Sequence, residues 1–243
     1  MMRECPECYA KWAGKEGRTA GLRAWHGAQL VAERRNLRRY RVVHCVASWP
    51  RRWRDNDDIE AVRNRAIKIA KEHGIRGGFI IVHPWRKDED QQYVPDGYIH
   101  VHVSGMADGD ILPGDSRVVV FKHIPNPTTG DYRGFQRARD IGACAKYLLT
   151  HCAVVPGRHC LTWFGWLSYN QLPTKTLGEY APETVNVERE NPPCPSCGST
   201  DTERCYEYDR TAWPSDRVRV WPDPPDPPDR TAPSYFSGGA DGE

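Results

Sequence analysis

Two histidines separated by one residue, His100 and His102, are the residues most suited to chemistry in this chain of 243 residues. They lie in an alternating run, residues 97–103, that is typical of a β-strand. Because side chains alternate across a strand, both imidazoles project from the same face, as a pair of metal ligands must. Val101 and Val103 occupy the opposite face, where a helix can cover them. A lone His-x-His pair also occurs on exposed strands that bind no metal, so a third ligand decides the interpretation.

His83 is the best candidate for that third ligand. It lies near the end of the strand that precedes the His-x-His strand, and an antiparallel hairpin places its ring beside His100 and His102. His44, in the middle of the first predicted strand, is the reserve candidate. Three imidazoles with open positions suit Mn²⁺, Zn²⁺ or Fe²⁺ by ligand preference, and a phosphate ligand also attracts Mg²⁺ or Mn²⁺.

A predicted helix over residues 136–151 supplies a candidate nucleophile, Tyr147. Tyr147 and His151 lie one turn apart on one face of this helix. A phenol with a pKa near 10 is a poor nucleophile at neutral pH unless a cation or a base assists it, and Lys146, His151 or a metal are the available partners. The alternative is that Tyr147 is an amphipathic core residue with its hydroxyl at the rim.

The nine cysteines of the chain include two Cys-x2-Cys pairs, a spacing that lets two thiolates bind one zinc ion. We expect one structural zinc site composed of Cys5, Cys8, Cys194 and Cys197, since the two ends of a folded domain often lie close together. A rival arrangement uses Cys194, Cys197 and Cys205 with a fourth ligand, and unliganded thiols are the simplest alternative. The remaining cysteines, Cys45, Cys144, Cys152 and Cys160, lie in apolar runs and are expected to be small buried residues.

Positive charge is concentrated near the start of the chain, although the net charge is only +2. Residues 34–54 contain eight arginines and no acidic residue, whereas residues 200–243 are acidic. This asymmetry is common in nucleic-acid-binding proteins, although a solvated helix face is the plainer explanation. If the chain binds nucleic acid, the residues expected to contact its phosphates are Arg34, Arg35, Arg38, Arg39, Arg51, Arg52 and Arg54.

No apolar run approaches the length of a membrane helix, and the charged start does not resemble a signal peptide, so we expect a cytoplasmic protein without a membrane partner.

The elements that must position these residues follow the order β-α-β-β-β-α-β. Strands are predicted at 40–48, 77–83, 97–103, 117–122 and 160–164, with helices at 57–73 and 136–151. This order predicts an α+β fold with an antiparallel sheet of about five strands and helices on one face.

The rest of the chain divides around that core. Residues 1–38 are predicted to form a basic segment with a broken helix and a zinc knuckle, and residues 39–175 the catalytic domain. Residues 176–212 are predicted to be a linker with the second knuckle, and the Pro/Asp-rich residues 213–243 to be disordered.

Several stretches together resemble the HUH endonuclease superfamily, and more narrowly the rolling-circle replication initiators of archaeal plasmids and viruses. The His-hydrophobic-His strand is followed about 45 residues later by a helix that carries a tyrosine, with a strand between them. The stretches that carry the resemblance are Cys5–Tyr9 with Trp12, His44–Pro50, His83–Arg86, His100–His102, Tyr147–His151 and Phe164–Ser168. Many initiators carry a second tyrosine one turn earlier, and Ala143 stands there in this chain.

The resemblance implies a ferredoxin-like or RRM-like sheet with the metal on its open face, and a single-tyrosine enzyme that nicks and joins single-stranded DNA. It implies that Mn²⁺ or Mg²⁺, held by His100, His102 and His83, polarises a phosphate at a replication origin, and that Tyr147 forms a 5′-phosphotyrosine. The freed 3′-hydroxyl then primes a host polymerase. No phosphate-binding loop of an ATPase is present, so unwinding requires a host helicase.

Two other functions remain open at this stage. One is a zinc-stabilised RRM-like nucleic-acid-binding protein without catalysis, and the other is a metal-dependent hydrolase that uses water.

Overall fold

The computed structural model describes residues 6–50, 59–87, 93–112, 114–115, 119–126, 129–150, 152, 159–185, 195 and 198. Of residues 6–9, 84–87, 93–99 and 115 it describes the backbone alone. The elements are α1 (Pro6–Arg34), β1 (Arg41–Pro50), α2 (Ile59–Glu72), β2 (Ile75–Lys87), β3 (Tyr93–Ala107), β4 (Gly114–Asp115), β5 (Val120–Ile124), α3 (Ala138–Leu149), β6 (Leu161–Gly165) and α4 (Thr174–Tyr180). A 3-10 turn, Pro182–Thr184, follows α4.

The strands form one antiparallel sheet in the order β4-β5-β1-β3-β2-β6. The strand with the paired histidines, β3, lies between β1 and β2 near the middle of the sheet. The predicted α+β class and antiparallel sheet are therefore confirmed. The strand predicted at 117–122 begins three residues too early, since β5 begins at Val120.

Helices cover both faces of the sheet, so the prediction that they lie on one face is wrong. On one face, α2 packs through Ile59, Val62 and Ala66 against a core that includes Val101 and Val103 of β3. On the other face, α1 and α3 pack over the strand residues that alternate with these. This second face carries the histidines, so it is covered by helices instead of being open.

The first helix, α1, is continuous over 29 residues, so the prediction of a broken helix is wrong. Two of its glycines, Gly17 and Gly21, are accommodated because α3 lies directly against them. A Cβ atom on Gly17 would lie 2.6 Å from the carbonyl oxygen of Gly142, and one on Gly21 would overlap the backbone at Ala138. Glycine costs about 1 kcal/mol in a helix, and the close approach of α1 to α3 offsets that cost.

The segment after the last strand is also ordered further than the sequence suggests. The linker is predicted to begin at residue 176, but α4 runs across that position from Thr174 to Tyr180 and buries Leu177 against α1. The buried Arg23 of α1 holds the preceding loop, because its guanidinium donates to the carbonyl oxygens of Leu167 at 3.0 Å and Leu172 at 2.6 Å. No helix among the described residues is long and apolar enough to cross a membrane.

Candidate metal centre and tyrosine helix

Three histidines converge on the helix-covered face of the sheet. His83 of β2 and His100 of β3 are direct partners across the antiparallel pair, and His102 follows two residues later on the same face. One ligand atom from each of His83, His100 and His102 lies within 4.8 Å of the other two. The hairpin geometry predicted from the sequence is therefore confirmed, and this cluster could bind a metal ion.

The donor set fits a divalent metal. Imidazole nitrogens bind such ions at about 2.1 Å, so two ligands of one ion lie at most about 4.2 Å apart. The observed separations, up to 4.8 Å, are close to that value. His83 and His102 are each 1% exposed whereas His100 is half-buried, so the cluster is closed at the sheet and reaches solvent beside His100. A site that is open on one side leaves room for a substrate oxygen.

The ring of His83 is held by the helix that carries Tyr147. Its Nε2 atom lies 2.9 Å from the carbonyl oxygen of Leu148. Since a carbonyl oxygen only accepts, Nε2 must carry the proton and donate it, and Nδ1 therefore carries the lone pair that a metal needs. This bond fixes the tautomer of His83 and joins the histidine cluster to the residue next to Tyr147.

His44 is not part of the convergent cluster, and the structure gives it a supporting position instead. Its Nε2 atom lies 2.9 Å from Nδ1 of His102, and its Nδ1 atom lies 3.7 Å from the sulfur of Cys144. Burial lowers the pKa of His44 to about 4, with His123 as the second cause, so His44 is neutral at neutral pH. If His102 presents Nε2 to a metal, its Nδ1–H donates to His44, and Nδ1–H of His44 then donates to Cys144.

Sequence reasoning missed this supporting role of His44 and Cys144. The apolar run around Cys144 predicts a small buried residue, but Cys144 is half-buried and lies beside His44. One feature of the sequence could have indicated this role of Cys144: it lies one turn before Tyr147, on the helix that covers the histidine face. Burial raises the pKa of Cys144 to about 12, which keeps it a thiol.

Tyr147 lies near the end of α3 with 51% of its surface exposed. Burial of the remainder, and secondarily the nearby Cys144, raises the pKa of Tyr147 above its ordinary value. The phenol is thus protonated at neutral pH and requires a cation or a base to act as a nucleophile.

Of the other residues predicted to assist Tyr147, Lys146 is exposed and its side chain reaches Gly14 of α1. His151 lies outside the described residues.

The predicted DNA-contacting arginines are divided between described and undescribed parts of the chain. Arg34, Arg35, Arg38 and Arg39 are exposed at and just after the end of α1, while Arg51, Arg52 and Arg54 lie outside the described residues.

The predicted zinc site is not shown. Cys5, Cys194 and Cys197 lie outside the described residues, and Cys8 lies in the first turn of α1, where only the backbone is described. Comparisons with protein-family models, curated proteins and solved structures found no match to this chain.

Proposed function

We propose that this protein nicks and joins single-stranded DNA through a covalent phosphotyrosine at Tyr147, with Mn²⁺ or Mg²⁺ held by His83, His100 and His102. The observation that carries the proposal is the hydrogen bond from His83 to the carbonyl oxygen of Leu148. It ties a cluster of potential metal ligands to the residue adjacent to an exposed tyrosine. Neither the cluster nor the tyrosine alone favours this chemistry over a structural role.

The chain's own residues account for most of the proposed reaction. His83, His100 and His102 hold the ion, and the neutral His44 orients His102 through its 2.9 Å hydrogen bond. A divalent ion bound there would supply positive charge to stabilise the phosphate and the departing 3′-oxygen. Tyr147 lies on the helix anchored to the cluster, so its phenol is the nucleophile that the scaffold can direct to a phosphate beside His100.

The covalent step requires only Tyr147 and the DNA strand as reactants. The phenolic oxygen of Tyr147 forms a bond to phosphorus while the bond from phosphorus to the 3′-oxygen breaks. The electron pair leaves with the 3′-oxygen, which takes up the proton that the phenol gives up. The phosphotyrosine stores the energy of the broken diester, so attack by a 3′-hydroxyl reverses the step and joins strands. This reversal suits initiation of rolling-circle replication of a plasmid or virus.

The test is incubation of the protein with single-stranded oligonucleotides and Mn²⁺, followed by a denaturing gel. We expect a protein–DNA adduct that is lost in Tyr147→Phe and retained in Tyr132→Phe, a control at another exposed tyrosine. DNA binding without an adduct from the wild-type protein would support the non-catalytic binding protein. Cleavage without an adduct, unchanged in Tyr147→Phe, would support a hydrolase that uses water.

A further inference from the structure

A second site lies on the surface near the end of α1, at the opposite end of that helix from Tyr147. It is a cavity of about 320 Å³ lined by Val31, Arg34, Arg35, Trp166, Gln171 and Leu172. This volume is near the lower end of the range for small-ligand pockets, so it suits one nucleotide. We propose that this cavity binds a single nucleotide of the DNA strand, outside the reacting phosphate. The inference rests on the proposed function, because it names a contact with the same substrate.

The charges of the cavity favour an anion. Arg34 and Arg35 are both exposed, and within the part of the chain that the structure describes neither forms a side-chain ion pair. The adjacent acid, Glu33, accepts a hydrogen bond from the hydroxyl of Tyr180 at 2.5 Å. Two guanidinium groups at one rim thus present their donors to solvent, as a phosphate-binding site requires.

The remaining lining residues suit a nucleobase. The guanidinium of Arg35 lies over the Trp166 ring, 4.2 Å from its centroid. Bases stack on aromatic rings and on arginine planes alike, so this pair offers a platform that a base can extend. Val31 and Leu172 supply apolar contact, and the exposed Gln171 carries an amide that both donates and accepts hydrogen bonds.

The wall of the cavity is held in place by the core. Arg23 is 4% exposed and binds the carbonyl oxygens of Leu167 and Leu172 on the loop that follows β6. The guanidinium of Arg23 also lies 4.0 Å from the centroid of the Tyr169 ring. A loop fixed by a buried cation keeps Trp166 and Gln171 in position before a ligand binds, which reduces the entropy lost on binding.

The position of the cavity implies an extended contact with DNA. Gly17 of α1 lies against Lys146 of α3, the neighbour of Tyr147 in sequence. Arg34 follows Gly17 by 17 residues on one continuous helix, a distance of about 26 Å at 1.5 Å per residue. The cavity therefore contacts a nucleotide well away from the nicked bond.

The test measures binding of a labelled single-stranded oligonucleotide of about 15 nucleotides by fluorescence anisotropy over a range of salt. All variants carry Tyr147→Phe, so no cleavage is involved. In the double variant Arg34→Gln, Arg35→Gln we expect the slope of log K against log salt to decrease by about 0.7 for each phosphate that the protein no longer neutralises. The matched control is Lys68→Gln, Lys71→Gln, which removes the same charge from exposed positions on α2 and should leave the slope unchanged.

The stacking contact is tested separately. Trp166→Leu should weaken binding roughly tenfold, whereas Trp166→Phe should stay close to the parent, since phenylalanine also stacks. Thermal unfolding followed by circular dichroism identifies any variant that has lost its fold. Equal slopes in the two double variants, or full affinity in a folded Trp166→Leu protein, would overturn the inference.

The outcomes also separate this inference from the proposed function. If the wild-type protein forms a covalent adduct but the arginine and lysine variants bind alike, the cavity is refuted and the nicking activity stands. If only the arginine variant shows a smaller slope of log K against log salt, and no adduct ever forms, the cavity is supported and the proposed nicking activity is refuted.

Discussion

Replacing His44 tests whether the second layer around the histidine cluster tunes metal binding. His44→Phe keeps a buried ring of similar size but removes the acceptor that lies 2.9 Å from Nδ1 of His102. If His102 binds the ion through Nε2, the proton on its Nδ1 atom then has no acceptor from β1, and the ring is no longer held in that orientation. Loss of such a supporting hydrogen bond weakens metal affinity by about 10- to 100-fold, or about 1.4 to 2.7 kcal/mol.

The assay is titration calorimetry with Mn²⁺ on the wild type and three variants. His44→Phe should show the full loss, whereas His44→Gln should recover most of it, because the glutamine side-chain oxygen can reach the position of Nε2. His73→Phe is the control, since it removes an imidazole that stacks on Phe121, 4.7 Å between centroids, away from the cluster. Wild-type affinity in His44→Phe, or an equal loss in the glutamine variant, would refute the reasoning.

Three further predictions concern the elements that build the site. Gly17→Ala should lower the free energy of unfolding by about 1 to 3 kcal/mol because its Cβ meets the backbone of α3, whereas Gly14→Ala on the same helix should be neutral or stabilising, as denaturant unfolding can show. Because burial raises the pKa of Cys144 to about 12, its thiolate should form only far above neutral pH. Iodoacetamide at pH 8 should therefore modify Cys144 about a thousandfold more slowly than a thiol of pKa 9. A comparable rate of modification would contradict this prediction. His83→Ala and His100→Ala should both abolish Mn²⁺ binding, but only the buried His83 should also cost about 1 to 3 kcal/mol of stability in thermal melts, and equal costs would count against its anchoring role.

The convergence of the three histidines could be predicted because it depends on one hairpin. His83 and His100 lie on consecutive strands, and the alternation of side chains then fixes which residues share a face. The contact of His44 with His102 depends instead on which strand lies beside β3 on its other edge. That pairing joins residues 58 positions apart, and no local pattern specifies it.

The failures of prediction have a common physical cause, which is tertiary contact overriding local preference. The glycines of α1 favour a break, but the helix continues because α3 packs against Gly17 and Gly21. The family resemblance implies an open histidine face, but α1 and α3 cover that face with an apolar core. Before the structure, Trp166 is singled out only by the family resemblance. Its stacking with Arg35 could not be predicted, because the two residues are distant in sequence.

Under the proposed function, Tyr147 becomes covalently attached to DNA. The most direct measurement is peptide mapping by mass spectrometry after wild-type protein has reacted with a single-stranded oligonucleotide and Mn²⁺. We predict one modified peptide, with a 5′-phosphate of the DNA joined to the oxygen of Tyr147. Attachment at another residue, or cleaved DNA with every tyrosine unmodified, would contradict the account.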